Sequence, residues 1–224
     1  MTALGLPRLH LRTTDSTNDR AKALATDAPH GLLVTAAEQT AGHGRQGRTW
    51  TAPAGEALLM SLVLHRWPEL LPLAAAVAVA EAAGDAAQIK WPNDVLIADR
   101  KVAGILVEAR TQEGWVVLGI GVNVAVRAFP GELADSAASL GRTAGDVEPF
   151  LAVLLERLER WLAAPADEVL GAWRARDALR GRAITWNGGA GVADGIDGAG
   201  RLVVRLAHGQ TTALDAGEVH LERA

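Results

Sequence analysis

The stretch Gly42-His43-Gly44-Arg45-Gln46-Gly47-Arg48-Thr49-Trp50 is the segment around which the rest of the chain is organised. It contains three glycines and two arginines, and its apolar residues follow neither a helical nor a strand-like period. Glycine lets the backbone adopt positive φ angles and approach a ligand closely. Arg45 and Arg48 supply planar, forked donors that suit phosphate or carboxylate groups. The stretch therefore predicts a loop that closes over an anion; the alternative is a solvated basic turn.

The glycines of this loop also match the G-x-G-x-x-G spacing of dinucleotide-binding proteins. That motif requires a strand before it, a helix opening at the third glycine and an acidic residue about 20 positions later. Residues 32–37 could form the strand, but residues 48–55 carry no helix signal and Trp67-Pro68 stands where the acidic residue is required. We therefore reject the dinucleotide-binding interpretation.

The segments on either side of the loop predict an α+β fold. Apolar alternation and buried runs predict strands at residues 8–12, 32–37, 57–64, 88–91, 95–98, 101–108 and 115–124. Helical spacing predicts helices at residues 20–25, 70–83, 148–163 and 167–179. Short, glycine-rich strands follow at residues 183–186, 191–193, 201–206, 211–214 and 219–221. We expect a central mixed β-sheet with helices over residues 1–179 and a small β-barrel over residues 180–224.

Composition limits the classes of function. The 224 residues carry 22 Lys and Arg against 26 Asp and Glu, so the net charge of −4 gives no general attraction to nucleic acid or membranes. The absence of cysteine excludes disulfides and cysteine-based metal sites. The first residues lack a signal peptide, and the apolar run at 70–84 is shorter than the ~20 residues that span a bilayer. We expect a cytoplasmic protein without nucleic-acid or membrane partners.

Lysine is rare in this chain, and its placement is informative. Only Lys22, Lys90 and Lys101 occur, against nineteen arginines, and two of the three flank the Trp91-Pro92-Asn93-Asp94 stretch. An ammonium group is a compact point charge, so a site that needs this geometry does not accept a guanidinium. Genomic bias alone explains the arginine excess, but it leaves this clustering unexplained.

Five motifs in order resemble the biotin protein ligases, also called biotin–acetyl-CoA-carboxylase ligases. They are Asp15-Ser16-Thr17-Asn18 with Gln39, the glycine loop, Lys90-Trp91-Pro92-Asn93-Asp94, Arg100 to Glu108, and Gly119-Ile120-Gly121-Val122-Asn123. The resemblance covers almost the whole chain and implies a catalytic domain followed by an SH3-like barrel. Regulatory members of that family carry an N-terminal helix-turn-helix domain. Because the motifs begin at residue 15, we expect the short, monofunctional form.

The resemblance implies a two-step ligation with ATP, Mg²⁺ and biotin. The carboxylate of biotin attacks the α-phosphate of ATP, which gives biotinyl-5′-adenylate and pyrophosphate. A lysine of a biotin carboxyl carrier domain, belonging to acetyl-CoA carboxylase or a related carboxylase, then attacks the adenylate and releases AMP. Both steps build negative charge on phosphate oxygens, which preorganised cations stabilise. An anion-binding glycine loop agrees with this chemistry.

The resemblance also assigns roles to individual residues. Biotin binding falls to Ser16, Thr17, Asn18, Gln39, His43, Gly44, Arg45, Lys101 and Gly104. Nucleotide binding falls to Arg45, Arg48, Trp50, Asn93, Lys101 and Asn123. The expected catalytic residues are Arg45, Lys90 and Lys101, and Asp94 is expected to hold Mg²⁺.

Simpler interpretations stand beside these roles. Ser16 with Asp19 fits a helix capping box, so residues 16–18 also read as a helix start. Lys101 and Asp94 also read as ordinary turn residues. His43 stands where the family usually has arginine; because histidine is shorter and near neutral at pH 7, retention of the adenylate should be weaker.

Two other functions compete with the biotin ligase interpretation. A lipoate or octanoate ligase-type acyltransferase shares the catalytic fold, and a non-enzymatic biotin-sensing protein would bind the ligand without turnover. The presence of both Arg45 and Lys101 favours chemistry, since binding biotin alone requires neither. An exposed sheet edge would allow a homodimer, so the oligomeric state stays open. Glycine content predicts that the loop is mobile until ligand binds.

Overall fold

The computed structural model describes residues 4–215 and 217–221. The strands are β1 (Arg8–Thr14), β2 (Leu33–Gln39), β3 (Gly42–His43), β4 (Thr49–Trp50), β5 (Ala57–Leu64), β6 (Gln88–Lys90), β7 (Asp94–Ile97), β8 (Arg100–Arg110), β9 (Trp115–Asn123), β10 (Ala183–Trp186), β11 (Gly189–Ile196), β12 (Leu202–Arg205), β13 (Thr211–Leu214) and β14 (Val219–Leu221). The helices are α1 (Thr17–Leu24), α2 (Leu71–Ala83), α3 (Val147–Leu162) and α4 (Ala166–Arg174).

The body of the molecule is a seven-stranded sheet in the order β1-β2-β5-β9-β8-β7-β6. Strands β1 and β2 are parallel and the remaining neighbours are antiparallel, which confirms the predicted central mixed sheet with helices. Strand β5 is buried along its entire length because α1 packs on one part of it and α3 on another. Helix α2 is apolar on nearly every face, as predicted, because it packs against α3, α4 and the sheet at once.

The C-terminal strands form a five-stranded antiparallel sheet in the order β13-β12-β11-β10-β14. Within the described residues the end strands β13 and β14 are not paired, so the predicted small sheet is confirmed and its closure into a barrel is not observed. The predicted division at residue 179 stays a prediction, and its ends at residues 1–3 and 222–224, together with residue 216, lie outside the described residues. The buried side chains Ile184, Leu202 and Val219 belong to the same apolar cluster as α2.

The helix predicted over residues 167–179 is wrong at its C-terminal end, since α4 stops at Arg174. The chain then leaves the helix to pair with the sheet edge. The N–H of Ile89 donates to the carbonyl of Arg176, and the N–H of Ala178 donates to the carbonyl of Ile89. These bonds pair backbone groups at the outer edge of β6. If α4 continued, those groups would have no partner.

The turn between β7 and β8 lies one residue earlier than predicted. Ala98 and Asp99 both have positive φ angles, of 49° and 60°, which is the two-residue hairpin geometry with matching strand twist. Arg182 braces Asp99 through two contacts of 2.6 and 3.2 Å. The hairpin therefore fixes where β8 begins, and with it the position of Lys101.

A bilayer-spanning segment is not found among the helices of the described chain, because none combines the required length with sufficient apolar character.

Candidate active site

A cleft of about 450 Å³ opens above the centre of the sheet, and we call it the polar cleft. The predicted site residues that line this cleft are Ser16, Thr17, Asn18, Gln39, His43, Trp50, Asn93 and Gly104. Glycines in β9 make room for two of these side chains. A Cβ atom added at Gly119 would lie 2.1 Å from Oδ1 of Asn18, and one added at Gly121 would lie 2.6 Å from the indole of Trp50. The sheet can hold these side chains against its surface only because β9 carries no Cβ there.

The start of α1 serves the helix and the cleft together. Ser16 is the N-cap, and its side chain accepts from the N–H of Asp19 at 3.4 Å. The N-cap interpretation is therefore confirmed for Ser16, but the reciprocal half of the predicted capping box is wrong, because the N–H of Ser16 donates to Oδ1 of Asp15 at 2.7 Å. Thr17 and Asn18, in the first turn of the helix, are both buried and line the cleft.

Thr17, Asn18 and Gln39 are held by a continuous set of hydrogen bonds. The backbone N–H and the hydroxyl of Thr17 lie 2.7 and 2.9 Å from Oε1 of Gln39. The Ser61 hydroxyl, on β5, lies 2.6 Å from Oδ1 of Asn18 and 2.9 Å from Oγ1 of Thr17. The Asn18 amide donates to Oε2 of Glu108 at 2.7 Å. Because each of these side chains is held by at least one such bond, the groups facing the cleft are oriented before a ligand arrives.

The glycine loop is a short hairpin. Strands β3 and β4 pair, so the expectation that the loop lacks all regular structure is wrong at residues 42–43 and 49–50. Between them, Gln46 and Gly47 have φ angles of 56° and 74°, a reversal that favours glycine. The N–H of Gly44 donates to the carbonyl of Arg48 at 2.7 Å, so it closes the hairpin.

Three side chains of the loop anchor it to three other elements. His43 lies 2.6 Å from Oδ2 of Asp19 in α1. Arg45 donates to Oδ1 of Asn93 at 3.2 Å, and Asn93 in turn donates to the carbonyl of Ile105 at 2.7 Å.

The third anchor reaches the C-terminal sheet, because Arg48 forms an ion pair with Glu218. Trp91 makes a second link between the two sheets, since its indole N–H donates to the carbonyl of Gly200 at 3.0 Å. The loop therefore lies at a junction of both sheets.

Arg45, Arg48, Lys90 and Lys101 converge on a second cleft beside the first, and we call them the cation cluster. The structure thus brings all three predicted catalytic residues together. Their counter-charges are Asp94, which lies 2.7 Å from Nζ of Lys101, and Glu218, which pairs with Arg48. Four cations face two carboxylates here, and this excess of positive charge favours an anionic ligand.

Burial and nearby positive charge lower the pKa of two members of the cation cluster, Lys90 and Arg45. The pKa of Lys90 is lowered, chiefly by burial and further by Lys101 and Arg48, although Asp94 opposes the shift. The pKa of Arg45 is also lowered, again chiefly by burial and further by Arg48. A bound anion relieves both penalties, so these residues are arranged for a ligand.

Trp50 forms the wall between the polar cleft and a larger cleft that reaches the C-terminal sheet. Nζ of Lys101 lies 5.6 Å from the centre of its ring. Its indole N–H is buried and has no acceptor among the described residues. Asn123 lines the larger cleft and donates to the carbonyl of Ala138 at 3.0 Å. Of the six predicted nucleotide-binding residues, Arg48, Trp50, Lys101 and Asn123 border the larger cleft, and Arg45 and Asn93 do not.

Asp94 was predicted to hold Mg²⁺. Across residues 4–215 and 217–221, no three His, Cys, Asp or Glu side chains converge as a metal site. Mg²⁺ is commonly bound by one or two carboxylates together with the phosphates of a substrate. One carboxylate at the cation cluster fits a metal that arrives with a nucleotide, and does not fit a metal held by the protein alone.

The sequence-based assignment missed Ser61, Glu108, Lys22 and Glu218. Two of them left a visible signal. Ser61 is the one polar residue in the apolar strand β5, and Glu108 interrupts the otherwise apolar run in β8. A polar residue inside a buried strand needs a partner, so each could have been flagged as facing another polar group.

Comparison with known proteins defines the class. The Biotin/lipoate A/B protein ligase family matches residues 10–124. The biotin–[acetyl-CoA-carboxylase] ligase of Paracoccus denitrificans is 38% identical, over 87% of this chain and 92% of that protein. The chain belongs to the biotin/lipoate A/B protein ligase family. Within that family it belongs with the biotin protein ligases.

Two further relatives agree. The bifunctional ligase/repressor BirA of Bacillus subtilis is 44% identical over 146 residues, which span 58% of this chain and 45% of that protein. The biotin protein ligase of Aquifex aeolicus, solved in complex with biotin and ATP, superposes with a TM-score of 0.84. It is 28% identical, and the match covers 97% of this chain and 99% of that one. The similarity extends over both sheets.

Proposed function

We propose that this protein is a biotin–[acetyl-CoA-carboxylase] ligase, which activates biotin with ATP and transfers it to a lysine of a biotin carboxyl carrier domain. The observation that carries the proposal is the adjacency of the polar cleft and the cation cluster. A neutral hydrogen-bonding ring and a carboxylate at the end of a chain need two such subsites side by side. The names of the relatives support the same activity and the same acceptor.

In the first step, a carboxylate oxygen of biotin bonds to the α-phosphorus of ATP, and the bond to the β-phosphate oxygen breaks to release pyrophosphate. Two anions must approach each other, so their repulsion is the barrier that the protein has to lower. Lys101 and Arg45 are the residues we propose to hold the carboxylate and the α-phosphate together. Lys90, whose pKa is lowered chiefly by burial, is proposed to stabilise the negative charge that develops on the phosphate.

In the second step, a neutral lysine amine of the acceptor attacks the acyl carbon, an amide forms and AMP leaves with its electron pair. The amine loses a proton to solvent.

The larger cleft beside Trp50 and Asn123 is the proposed nucleotide site. Asp94 would contribute one carboxylate to Mg²⁺ bound with the nucleotide, and that ion would neutralise phosphate charge.

For self-association we propose the edge strand β1, through which two copies would extend the sheet. The opposite edge, β6, is covered by residues 176–178. Light scattering over a range of concentrations tests this. Dimers that persist after His10→Pro in β1 would contradict it, because the N–H of His10 points away from β2 and proline removes that edge donor.

ATP–pyrophosphate exchange without acceptor protein tests the activity. We expect exchange that requires biotin, with no exchange when lipoate or octanoate replaces it. Exchange with either of those acids would support the acyltransferase alternative, and biotin binding without exchange would support a sensor. Mass spectrometry of a carrier domain should then show one added biotinyl group on a lysine.

A further inference from the structure

An unassigned chain of charged and polar residues runs from the surface into the polar cleft. Nζ of Lys22 lies 2.7 Å from Oδ1 of Asp19 and 2.7 Å from Oε1 of Glu108. The second oxygen of Glu108 accepts from the Asn18 amide at 2.7 Å. Oδ1 of Asn18 then accepts from Ser61 at 2.6 Å. Lys22, Glu108 and Ser61 do not line the cleft, so they act on it only through Asn18 and Thr17.

The hydrogen bonds in this series have a fixed direction, because Lys22 and Glu108 cannot exchange the roles of donor and acceptor. An ammonium group only donates, and an ionised carboxylate only accepts. Glu108 therefore requires the NH₂ group of Asn18 to face it. The reverse orientation would place the Asn18 oxygen against the carboxylate. An amide is otherwise free to present either end, so the ion pair decides which end faces inward.

The same direction continues past Asn18. With Oδ1 as the acceptor, the single proton of the Ser61 hydroxyl is committed to it, at the shorter of the two Ser61 contacts. Ser61 then cannot also donate to Thr17, and the single proton of the Thr17 hydroxyl goes to Oε1 of Gln39. The lone pairs of Oγ1 of Thr17 stay open for an N–H of a ligand.

The opposite polarity is fixed at Gln39 and at the second N–H of Asn18. The backbone N–H of Thr17 donates to Oε1 of Gln39, so the NH₂ group of Gln39 remains available as a donor to a ligand. One N–H of Asn18 is likewise unused after the bond to Glu108. The cleft thus presents an acceptor at Thr17 and donors at Gln39 and Asn18, the complement of a cyclic urea with its N–H and C=O groups.

We propose that Glu108, with Lys22 and Ser61, is a positioning residue that sets the donor and acceptor polarity of the polar cleft and so selects a urea ring over a guanidine ring. The inference rests on the proposed biotin ligase function. Burial of Ser61, at 0% exposure, excludes water as a substitute partner. Without the Glu108 charge, the oxygen and the NH₂ group of the Asn18 amide could exchange positions. The cleft would then no longer present a single pattern of donors and acceptors.

Calorimetric binding of biotin and of 2-iminobiotin tests the proposal. In 2-iminobiotin the carbonyl oxygen is replaced by a nitrogen that carries protons at neutral pH, so an acceptor becomes a donor. We expect the wild-type protein to prefer biotin. In Glu108→Gln we expect biotin binding to weaken roughly tenfold and the preference over 2-iminobiotin to shrink by at least about threefold.

Glu113→Gln is the matched control, because Glu113 pairs with Arg110 and Trp115 at the tip of the same β8–β9 hairpin. It should leave both affinities unchanged. Ser61→Ala should lower the preference as well, since Asn18 loses the partner that fixes its oxygen. Thermal melts verify that all variants are folded.

The outcomes are distinguishable. Equal weakening of both ligands in Glu108→Gln, with the preference intact, would assign Glu108 a merely structural role and overturn the proposal. Unchanged binding of both would overturn it as well. Failure of the wild-type protein to bind biotin would instead overturn the proposed function. In the exchange assay, Glu108→Gln should raise KM for biotin while kcat changes less, since Glu108 does not contact the reacting atoms.

Discussion

The polar cleft and the cation cluster lie side by side but are built on opposite principles. In the polar cleft, Thr17, Asn18 and Gln39 already hold partners through Ser61 and Glu108. In the cation cluster, positive side chains face too few acidic groups, and the pKa of Lys90 is lowered by burial and by neighbouring cations. The side chains of the first region are oriented without a ligand, whereas the excess positive charge of the second is balanced only when an anion binds.

This contrast reflects the two ends of the proposed substrate. A neutral ring offers a few directional hydrogen bonds, so selectivity requires donors and acceptors that are already oriented. A carboxylate and a triphosphate offer charge, so catalysis gains most from cations that are preorganised but not neutralised. Removing a residue from the cation cluster should therefore affect rate more than stability. Disturbing the polar cleft should affect affinity, and to some extent stability.

Lys101→Ala should give the largest effect. We expect pyrophosphate exchange at saturating biotin to fall by about 10²–10³-fold, because a preorganised cation on the developing phosphate charge is removed. The melting temperature should move by only a few degrees, because Lys101 is about one-third exposed and its ion pair with Asp94 contributes little. Arg110→Ala, at the far end of β8, is the control. Retained exchange in Lys101→Ala would remove Lys101 from the mechanism.

Gly119→Ala should have the next largest effect, and it acts on the polar cleft. The added Cβ would lie 2.1 Å from Oδ1 of Asn18, so the amide must leave its place between Ser61 and Glu108. We expect biotin affinity to fall by about 10–100-fold and stability by about 1–3 kcal/mol. Gly171→Ala in α4, where nothing lies within 4 Å of the added atom, is the control. Equal biotin affinity in both variants would contradict the described geometry.

Lys90 should make nucleotide binding pH-dependent. Because its folded-state pKa is lowered, the unfolded chain binds more protons over the range between the two pKa values, and stability rises with pH there. A bound triphosphate raises the pKa again, so we expect ATP binding to take up protons at alkaline pH, between the lowered pKa of Lys90 and the usual pKa of lysine. Calorimetry in buffers of different ionisation enthalpy measures this uptake. Lys90→Arg, which keeps its charge, should abolish it; uptake that persists in this variant would assign it to another group.

His43→Arg should have the smallest effect. His43 pairs with Asp19. The pKa of the Asp19 carboxyl lies below its usual value, because hydrogen bonds from Lys22 and His43 lower it although burial acts to raise it. A longer, permanently charged arginine should close the loop more firmly and slow adenylate release up to about fivefold. Hydrogen exchange over residues 41–50, with and without biotin and ATP, provides the readout. Release as fast as in the wild type would leave His43 without a role in retention.

The sequence patterns predicted most of the helices and strands, because the local spacing of apolar residues determines most of them. Strands β5, β10, β13 and β14 have the predicted bounds. Predictions failed for two different reasons. Helix α4 ends early because residues 176–178 pair with the distant strand β6, which no local window contains. Residues 42–43 and 49–50 pair with each other, but two-residue strands are too short to show an alternating apolar pattern.

The sequence by itself determined the class of this protein, since the order and spacing of its glycine loop, Lys-Trp-Pro-Asn-Asp stretch and flanking strands predict both the fold and an anion-binding site. Only the tertiary structure decided which charges oppose which. Lys22 and Glu108 are 86 residues apart, and Arg48 of the glycine loop is far along the chain from Glu218, which precedes β14, yet each pair is in contact. Hydrogen-bond polarity and charge balance depend on distances of a few ångströms between segments, and residue spacing along the chain does not encode those distances.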